Sequence, residues 1–191
     1  LYLARNNNLM FHASIPLNED GTFKEVKIID EYYSGKRLFD RIDALVQLAC
    51  RKSTEISEEK QASIDYMWYL WCGADSPSFD KAKMATFERY LITNKETHKE
   101  EKGHYYKLQN DENVCINILK EFGIESEGSH IINGHVPVKI KKGEHPVRAN
   151  GKLLVIDGGF SKAYHSETGI AGYTLVYNSF GMQLVQHQPF E

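Results

Sequence analysis

Short runs of apolar residues with the composition of β-strands lie towards both ends of the chain. Val, Ile, Leu, Phe and Tyr dominate these runs, and Gly, Pro, Asn and Asp interrupt them. The pattern predicts strands at residues 9–15, 22–29, 131–132, 153–156, 171–177 and 182–187. Residues 178–181, Asn-Ser-Phe-Gly, favour a tight turn, so we expect the last two strands to form a hairpin.

Between these two regions, apolar residues recur every three to four positions, which is the spacing of an amphipathic helix. The spacing predicts helices over residues 36–52, 58–71 and 112–122, and a further helix is a candidate over 81–91. The charged residues between 94 and 107 lack this spacing. We therefore expect that stretch to be solvated.

The predicted helix over residues 58–71 holds both tryptophans of the chain. One face of it is apolar at positions i, i+3, i+4 and i+7: Ile64, Met67, Trp68 and Trp71. Helical spacing and apolar neighbours favour packing of this face in the core. Tyr66 and Tyr69 are interpreted in the same way, as core residues and not as a surface on which nucleic-acid bases stack.

Strand-forming sequence at both ends and helix-forming sequence between them predict a mixed α/β domain. We expect a helical insertion over about 36–122 and a β-rich segment over about 131–190. The chain has 191 residues, of which 41% are hydrophobic and 26% charged, as in ordinary globular domains. The strand at 9–15 needs a partner, either a strand near the other end or chain outside this sequence, because an isolated strand leaves backbone groups unpaired.

Charge and cysteine content argue against several functional classes. The 23 basic and 26 acidic residues give a net charge of −3, which argues against a nucleic-acid partner. No apolar run approaches the roughly 20 residues that span a bilayer, and residues 1–5 lack the features of a signal peptide, so we expect no membrane partner. Cys50, Cys72 and Cys115 form no Cys-x-x-Cys pair, so we expect buried, reduced thiols and a cytoplasmic location.

Two histidines beside predicted strands are candidate metal ligands. His12 lies in the apolar run 9–13, and His135 follows a strand that stops at Asn133-Gly134, a turn that would deliver the next side chain to the edge of a sheet. Neutral imidazole is the commonest side-chain ligand for metals. From the residues alone, the alternatives are a core histidine for His12 and an ordinary loop histidine for His135.

The segment 157–164, Asp-Gly-Gly-Phe-Ser-Lys-Ala-Tyr, is a candidate anion-binding loop. Two glycines after a strand let backbone N–H groups approach an anion, and Ser161, Lys162 and Tyr164 add side-chain donors. Basic residues upstream would attract phosphate: Lys139, Lys141, Lys142, Arg148 and Lys152. The alternatives are an ordinary turn and a solvated hairpin. The sequence contains no Walker loop, serine-hydrolase elbow or HExxH motif.

Longer strings resemble one known family. Residues 131–139, Ile-Ile-Asn-Gly-His-Val-Pro-Val-Lys, closely resemble the late Gly-His motif of bacterial class III fructose-1,6-bisphosphatases, the type found in Firmicutes and Bacteroides. Other segments resemble the same family: residues 71–73 with 76–77, 84–90, 151–164 and 168–173. The resemblance covers nearly the whole chain.

The resemblance implies the calcineurin-like metallophosphatase superfamily, with a four-layer α/β/β/α sandwich and a two-metal site, usually Mn²⁺, at the strand ends. It also implies hydrolysis of the sugar bisphosphate fructose 1,6-bisphosphate to fructose 6-phosphate and phosphate in gluconeogenesis. By position, His12 resembles the penultimate metal-binding histidine and His135 the last. In the superfamily both histidines bind the same metal, and water activated by the metal pair attacks phosphorus in line.

The chain also departs from the family pattern. It contains no Gly-Asp-x-His-Gly, Gly-Asp-x-x-Asp-Arg-Gly or Gly-Asn-His-Glu motif, which supply the other metal ligands and the leaving-group acid, and Val136 stands where threonine often follows the Gly-His. We therefore expect the C-terminal portion of a longer enzyme, without catalytic residues of its own, inactive alone and prone to self-association through an exposed face. The alternative is a non-catalytic module that binds phosphate or a protein partner. A related phosphoprotein phosphatase fits the strings less well.

Overall fold

The structure is a computed structural model that describes residues 1–52, 56–125, 127–159, 168–169 and 172–188. Its strands are β1 (Tyr2–Arg5), β2 (Asn8–Phe11), β3 (Val26–Ile28), β4 (Glu31–Tyr33), β5 (His130–Asn133), β6 (Val147–Arg148), β7 (Leu153–Val155), β8 (Gly172–Asn178) and β9 (Gly181–His187). Its α-helices are α1 (Gly35–Cys50), α2 (Glu58–Cys72), α3 (Thr86–Leu91), α4 (Tyr105–Leu108) and α5 (Glu112–Glu121). The chain separates into two units: Leu1–Tyr2 with Ala13–Leu108, and Leu3–His12 with Gln109–Glu191.

A five-stranded mixed sheet forms the centre of the second unit, in the order β1-β2-β5-β7-β6. β2, β5 and β7 run parallel, with Leu9 opposite Ile131 and Ile131 opposite Leu153, whereas β6 is antiparallel to β7. These three side chains are fully buried, as is usual for the inner strands of a parallel sheet. The strand predicted at residues 9–15 therefore finds its partner in β5, within this chain, and is shorter than predicted.

Helix α5 and the hairpin β8–β9 confirm their sequence predictions. The side chain of Asp111 accepts hydrogen bonds from the backbone N–H groups of Asn113 and Val114, which satisfies donors that the first turn of a helix leaves free. The buried face of α5 carries the predicted residues Cys115, Ile118 and Leu119. β8 and β9 pair antiparallel as far as Asn178 opposite Gly181, so the predicted turn is in place.

The first unit is built from α1, α2 and the hairpin β3–β4. Their buried side chains form one apolar cluster: Val26, Ile28, Leu38, Ile42, Leu45, Tyr66 and Leu70. Ser57 caps the N-terminus of α2, since its hydroxyl accepts a hydrogen bond from the Lys60 N–H. Glu58 and Glu59 lie in the first turn, where the helix dipole favours negative charge.

The face of α2 that packs in this cluster is not the predicted one. Ser63, Tyr66 and Leu70 are buried, whereas Trp68 and Trp71 are 69% and 56% exposed. The prediction of a buried tryptophan face is therefore wrong, and the prediction for Tyr66 is confirmed. Both faces of α2 carry apolar residues, so periodicity could not distinguish them, and the face with the small Ser63 is the one that packs.

Other sequence predictions need smaller corrections. Only Thr86–Leu91 of the candidate helix at 81–91 is helical, and Lys81 forms a β-bridge with Lys102. The stretch from 94 to 107 is not solvated throughout, since Tyr105 of α4 is fully buried. β3 occupies only the end of the strand predicted at 22–29, and β1 and β4 were not predicted.

The three cysteines are free thiols in different environments. Cys115 is buried, as predicted, but Cys50 at the end of α1 is exposed, so the prediction of a buried thiol is wrong there; Cys72 is intermediate. Burial raises the pKa of the Cys115 thiol to about 12. Among the described residues, none of the helices has the length and apolar character needed to span a bilayer.

One carboxyl group in the first unit is deeply buried. Asp80 is 3% exposed and has a φ of +49°, and its backbone carbonyl accepts a 2.9 Å hydrogen bond from the Gly103 N–H. A Cβ atom at position 103 would lie 2.1 Å from Asp80 Oδ1, so glycine makes room for the carboxylate. Burial raises the pKa of Asp80 to about 6 and the charge of Asp75 adds to this shift, although the Ser14 hydroxyl and the charges of Lys24 and His104 act in the opposite direction.

We expect Asp80→Asn to stabilise the protein at neutral pH and to change its stability little near pH 4. The unfolded carboxyl ionises at its ordinary pKa of 3.8, whereas the folded protein retains the proton up to about pH 6. Stability is therefore lost as pH rises from about 4 to 6, by about 3 kcal/mol at about 1.4 kcal/mol per pKa unit. Urea unfolding of both proteins at several pH values measures this difference.

The control is Asp30→Asn, which changes an exposed carboxylate in the turn between β3 and β4. Its effect on the free energy of unfolding should be small and nearly the same at every pH. The prediction fails if the difference between the wild type and Asp80→Asn is the same at pH 4 and pH 7.

Candidate metal-binding site

The structure brings His12 and His135 together at one edge of the five-stranded sheet. His12 Nε2 lies 3.0 Å from His135 Nδ1, and the ring centroids are 4.9 Å apart. His12 is exposed and His135 is half-buried. The expectation that the two side chains meet at a strand edge is confirmed, and exposure excludes a buried core position for His12.

Parallel strand pairing produces this contact. His12 follows β2 directly, and His135 follows β5 after one glycine, so both side chains lie beyond the carboxyl ends of neighbouring parallel strands. Such ends are where open α/β sheets commonly place their binding sites. The Gly134 N–H donates a 2.9 Å hydrogen bond to the carbonyl oxygen of His12, which ties the two segments together beside the imidazoles.

The backbone at His135 is strained. Its φ is +66°, in the left-handed region that non-glycine residues seldom occupy. The Val136 N–H donates a 2.8 Å hydrogen bond to the Gly134 carbonyl, so these residues form a γ-turn of the rare positive-φ type, with His135 at its centre. Strain of this kind persists only where surrounding contacts hold it, and such positions cluster at functional sites.

The residues after β7 form hydrogen bonds with the residues on both sides of this turn. The Val138 N–H donates to the Asp157 carbonyl, and the Ile156 N–H donates to the Asn133 carbonyl, both at 2.8 Å. The Asp157 carboxylate accepts a 2.8 Å hydrogen bond from the Gly159 N–H, which shapes the start of the glycine loop. The segment 157–159 therefore lies next to the His135 turn.

The separation of the two ring nitrogens is compatible with a shared metal ion. Two neighbouring nitrogen ligands of one octahedral ion, each about 2.1 Å from it, would lie about 3.0 Å apart. The same contact is a hydrogen bond when one ring carries a proton on its facing nitrogen. Within the described part of the chain, no group of three or more His, Cys, Asp or Glu side chains could hold a metal, so further ligands would have to come from elsewhere.

The predicted phosphate-binding residues are placed only in part. Ser161, Lys162 and Tyr164 lie outside the described residues. Of the basic residues upstream, Arg148 contacts Glu144 Oε2 at 3.3 Å, and the Lys152 ammonium group donates to the Glu127 carbonyl. Both side chains therefore already bind acceptors of this chain.

Sequence reasoning missed the backbone part of the site. Neither the Gly134 contact to the His12 carbonyl nor the support that Asp157 gives to Val138 was predicted. The available signals were the Asn-Gly step before His135 and the Asp-Gly-Gly step directly after β7. Both mark turns, but only the paired strands show that the two turns adjoin.

A family model described as Firmicute fructose-1,6-bisphosphatase matches residues 1–191. Three similar proteins are each named fructose-1,6-bisphosphatase class 3. The protein from Bacteroides fragilis is 62% identical over 191 residues, which cover 100% of this chain and 29% of that protein. The protein from Phocaeicola vulgatus is 61% identical over 190 residues, covering 100% and 28%, and that from Clostridium acetobutylicum is 60% identical over 194 residues, covering 100% and 29%.

The chain thus spans less than a third of the length of these curated relatives. No solved structure matches it. The comparisons therefore concern sequence, and the geometry of the histidine pair is an independent observation.

Because His135 occupies the left-handed region, glycine should be more stable than alanine at this position, the reverse of the usual order. We expect the free energy of unfolding of His135→Gly to exceed that of His135→Ala by about 1 kcal/mol. At Asn117, an exposed position inside α5, alanine should exceed glycine by about 1 kcal/mol. Urea unfolding of the four variants measures both differences, and the same order at both positions would contradict the strained turn.

Proposed function

The chain belongs to the Firmicute fructose-1,6-bisphosphatase family, and we propose that it forms the C-terminal portion of an enzyme that hydrolyses fructose 1,6-bisphosphate. The products would be fructose 6-phosphate and phosphate. In this reaction water attacks phosphorus, the P–O bond to the sugar breaks, and the sugar oxygen takes up a proton. The substrate suggests a role in gluconeogenesis and a cytoplasmic location.

The observation that carries this proposal is the contact between His12 and His135. The two residues are 123 positions apart in the sequence, yet their ring nitrogens lie 3.0 Å apart. The contact lies at the carboxyl ends of paired parallel strands, in a chain that is about 60% identical to proteins named fructose-1,6-bisphosphatase class 3. The histidine contact and the sequence identity therefore both support the proposed activity.

We propose that His12 Nε2 and His135 Nδ1 bind one ion of a two-metal site, with Mn²⁺ as the expected metal. When bound, such metals stabilise charge on the phosphate and provide a reactive water near neutral pH. This chain's own contribution is to hold the two nitrogens at their separation. The γ-turn at His135 and the hydrogen bond from Gly134 to His12 orient the rings before any ligand arrives.

Ser161, Lys162 and Tyr164 are proposed to bind the phosphate group of the sugar. Their loop follows Asp157 and two glycines in the sequence. The Asp157 carbonyl accepts a hydrogen bond from the Val138 N–H, just after the His135 turn. Hydroxyl and ammonium groups are donors from which phosphate oxygens accept hydrogen bonds. Hydrogen bonds from a charged donor are the stronger kind, so Lys162 would contribute most to binding.

Residues 1–191 alone are proposed to be inactive. Two nitrogen ligands hold a metal weakly, and among the described residues no group of three or more His, Cys, Asp or Glu side chains could hold a metal. The remaining ligands and the acid that protonates the leaving oxygen would come from the longer protein. The five-stranded sheet would then be one of the two inner layers of a four-layer α/β/β/α sandwich.

In a full-length protein that contains residues 1–191, His135→Ala should lower kcat at least about 100-fold, because a displaced ligand misplaces the attacking water. The free energy of unfolding should change by about 1 kcal/mol or less, since the side chain lies at a sheet edge. Phosphate release from fructose 1,6-bisphosphate, manganese content and thermal unfolding provide the three measurements. His145→Ala, which removes another exposed imidazole of this chain, is the control and should leave all three unchanged.

Full manganese occupancy together with normal turnover in His135→Ala would rule out the proposed metal site. Residues 1–191 assayed alone should release no phosphate. Release that survives repurification and is lost in His135→Ala would show that this portion is catalytic by itself, against the proposal.

Lys162→Ala should act on substrate binding and not on the metals. Loss of one charge-assisted hydrogen bond to phosphate should raise KM about tenfold or more, while manganese content stays unchanged. Lys99→Ala, a surface lysine paired with Glu96, is the matched control and should leave KM unchanged. A variant Lys162→Ala that loses manganese, or that keeps the wild-type KM, would refute the role assigned to this residue.

A further inference from the structure

One face of α2 exposes four apolar side chains in a continuous row along the helix. They are Ile64, Met67, Trp68 and Trp71, which we call the outer stripe of α2. Trp68 is 69% exposed and Trp71 is 56% exposed. The opposite face of the same helix is already buried against the core of the first unit, so α2 is apolar on two sides and packed on one.

The outer stripe has the chemistry of a contact surface. The rings of Trp68 and Trp71 meet edge to face, with centroids 5.1 Å apart, so they form one patch and not two isolated side chains. Tryptophan is among the residues most enriched at the centres of protein interfaces. Contiguous exposed apolar patches of a few hundred Å² are often functional.

The size of the stripe argues against a second copy of the chain as its occupant. Its exposed area is about 400 Å², judged from the 150–250 Å² that an aromatic side chain buries at most. A stable interface between separate molecules needs about 800 Å² from each partner. Separate molecules also lose translational and rotational freedom on binding, whereas a tethered segment has lost most of that freedom already.

The relatives are much longer than this chain, which covers only 28–29% of their length. A segment outside residues 1–191 would be tethered to α2 by the polypeptide itself. We propose that in the full-length protein the outer stripe of α2 is covered by a segment of the same polypeptide that lies outside residues 1–191. This proposal does not depend on the phosphatase activity. It concerns how the helix is packed and not what the site does.

The charges around the stripe indicate the chemistry of the covering segment. Glu58, Glu59 and Asp65 are exposed on the same helix, whereas the one lysine of α2, Lys60, is buried and donates to the Arg51 carbonyl. Asp65 is the one charged residue of α2 between Ile64 and Trp71, so the charge that this helix places beside the stripe is negative. The covering segment should present apolar side chains to the two tryptophans and Lys or Arg side chains beside them.

Hydroxyl-radical footprinting of the full-length wild-type protein tests this proposal. Trp68 and Trp71 are the only tryptophans in residues 1–191. Mass spectrometry of the peptide that contains them therefore measures the oxidation of both. Their oxidation should be about tenfold slower than in the same protein unfolded in guanidinium, and equally slow at low and high protein concentration, since an intramolecular contact does not depend on concentration.

Oxidation at nearly the unfolded rate would show an exposed stripe and overturn the proposal. Protection that develops only as the protein concentration rises would assign the stripe to a second copy and overturn it as well. Because this test uses the wild type, it does not depend on any variant folding.

A charge placed in the stripe gives a second measurement. Trp68→Glu should lower the Tm of the full-length protein by about 5 °C or more, because it removes the packing of a covered ring and takes a carboxylate out of water. Asn117→Glu adds the same charge at an exposed position of α5 and should change the Tm by about 1 °C or less. Equal, small shifts in both variants would contradict a covered stripe.

Discussion

The parallel pairing of β2 with β5 is the contact on which the candidate site depends. It joins segments about 120 residues apart, and the side chains that stabilise it, Leu9 and Ile131, are fully buried. Burying each such side chain contributes about 1.5–3 kcal/mol, while the entropic cost of closing a loop grows only slowly with its length. A long intervening sequence is therefore compatible with this pairing. Once the strands are in register, the positions of His12 and His135 follow.

The same pairing supports a conformation that would be unfavourable in isolation. His135 holds a positive φ inside a three-residue turn, and the contacts around it come from two other segments: the His12 carbonyl and Asp157. Each hydrogen bond contributes about 1 kcal/mol, which is comparable to the strain of one left-handed residue. The orientation of the imidazole thus results from contacts made by all three parallel strands, and a local sequence signal would not reveal it.

Helix α2 and Asp80 show a different constraint in the first unit. α2 is apolar on two faces, and only packing against α1 selects Tyr66 and Leu70 for the core and leaves Trp68 exposed. Asp80 is a carboxylate in a loop-forming stretch, and nothing in its sequence neighbourhood marks it as buried. In both cases, burial depends on which other segment of the chain packs against the residue. Hydrophobic spacing identifies the faces that are able to pack, but not the one that does.

The sequence by itself determined the secondary structure wherever one periodicity was unambiguous, as in α1, α5 and the hairpin β8–β9. It also identified the family, and it singled out His12 and His135 through their positions beside apolar runs. These signals are local, because helix and strand periodicity and turn residues act over a few positions. Tertiary structure alone decided that β2 pairs with β5, that Asp157 supports the His135 turn, and that the tryptophans of α2 face outward. Those outcomes depend on contacts between segments far apart in the chain, where the burial gained by one pairing must exceed that of its competitors.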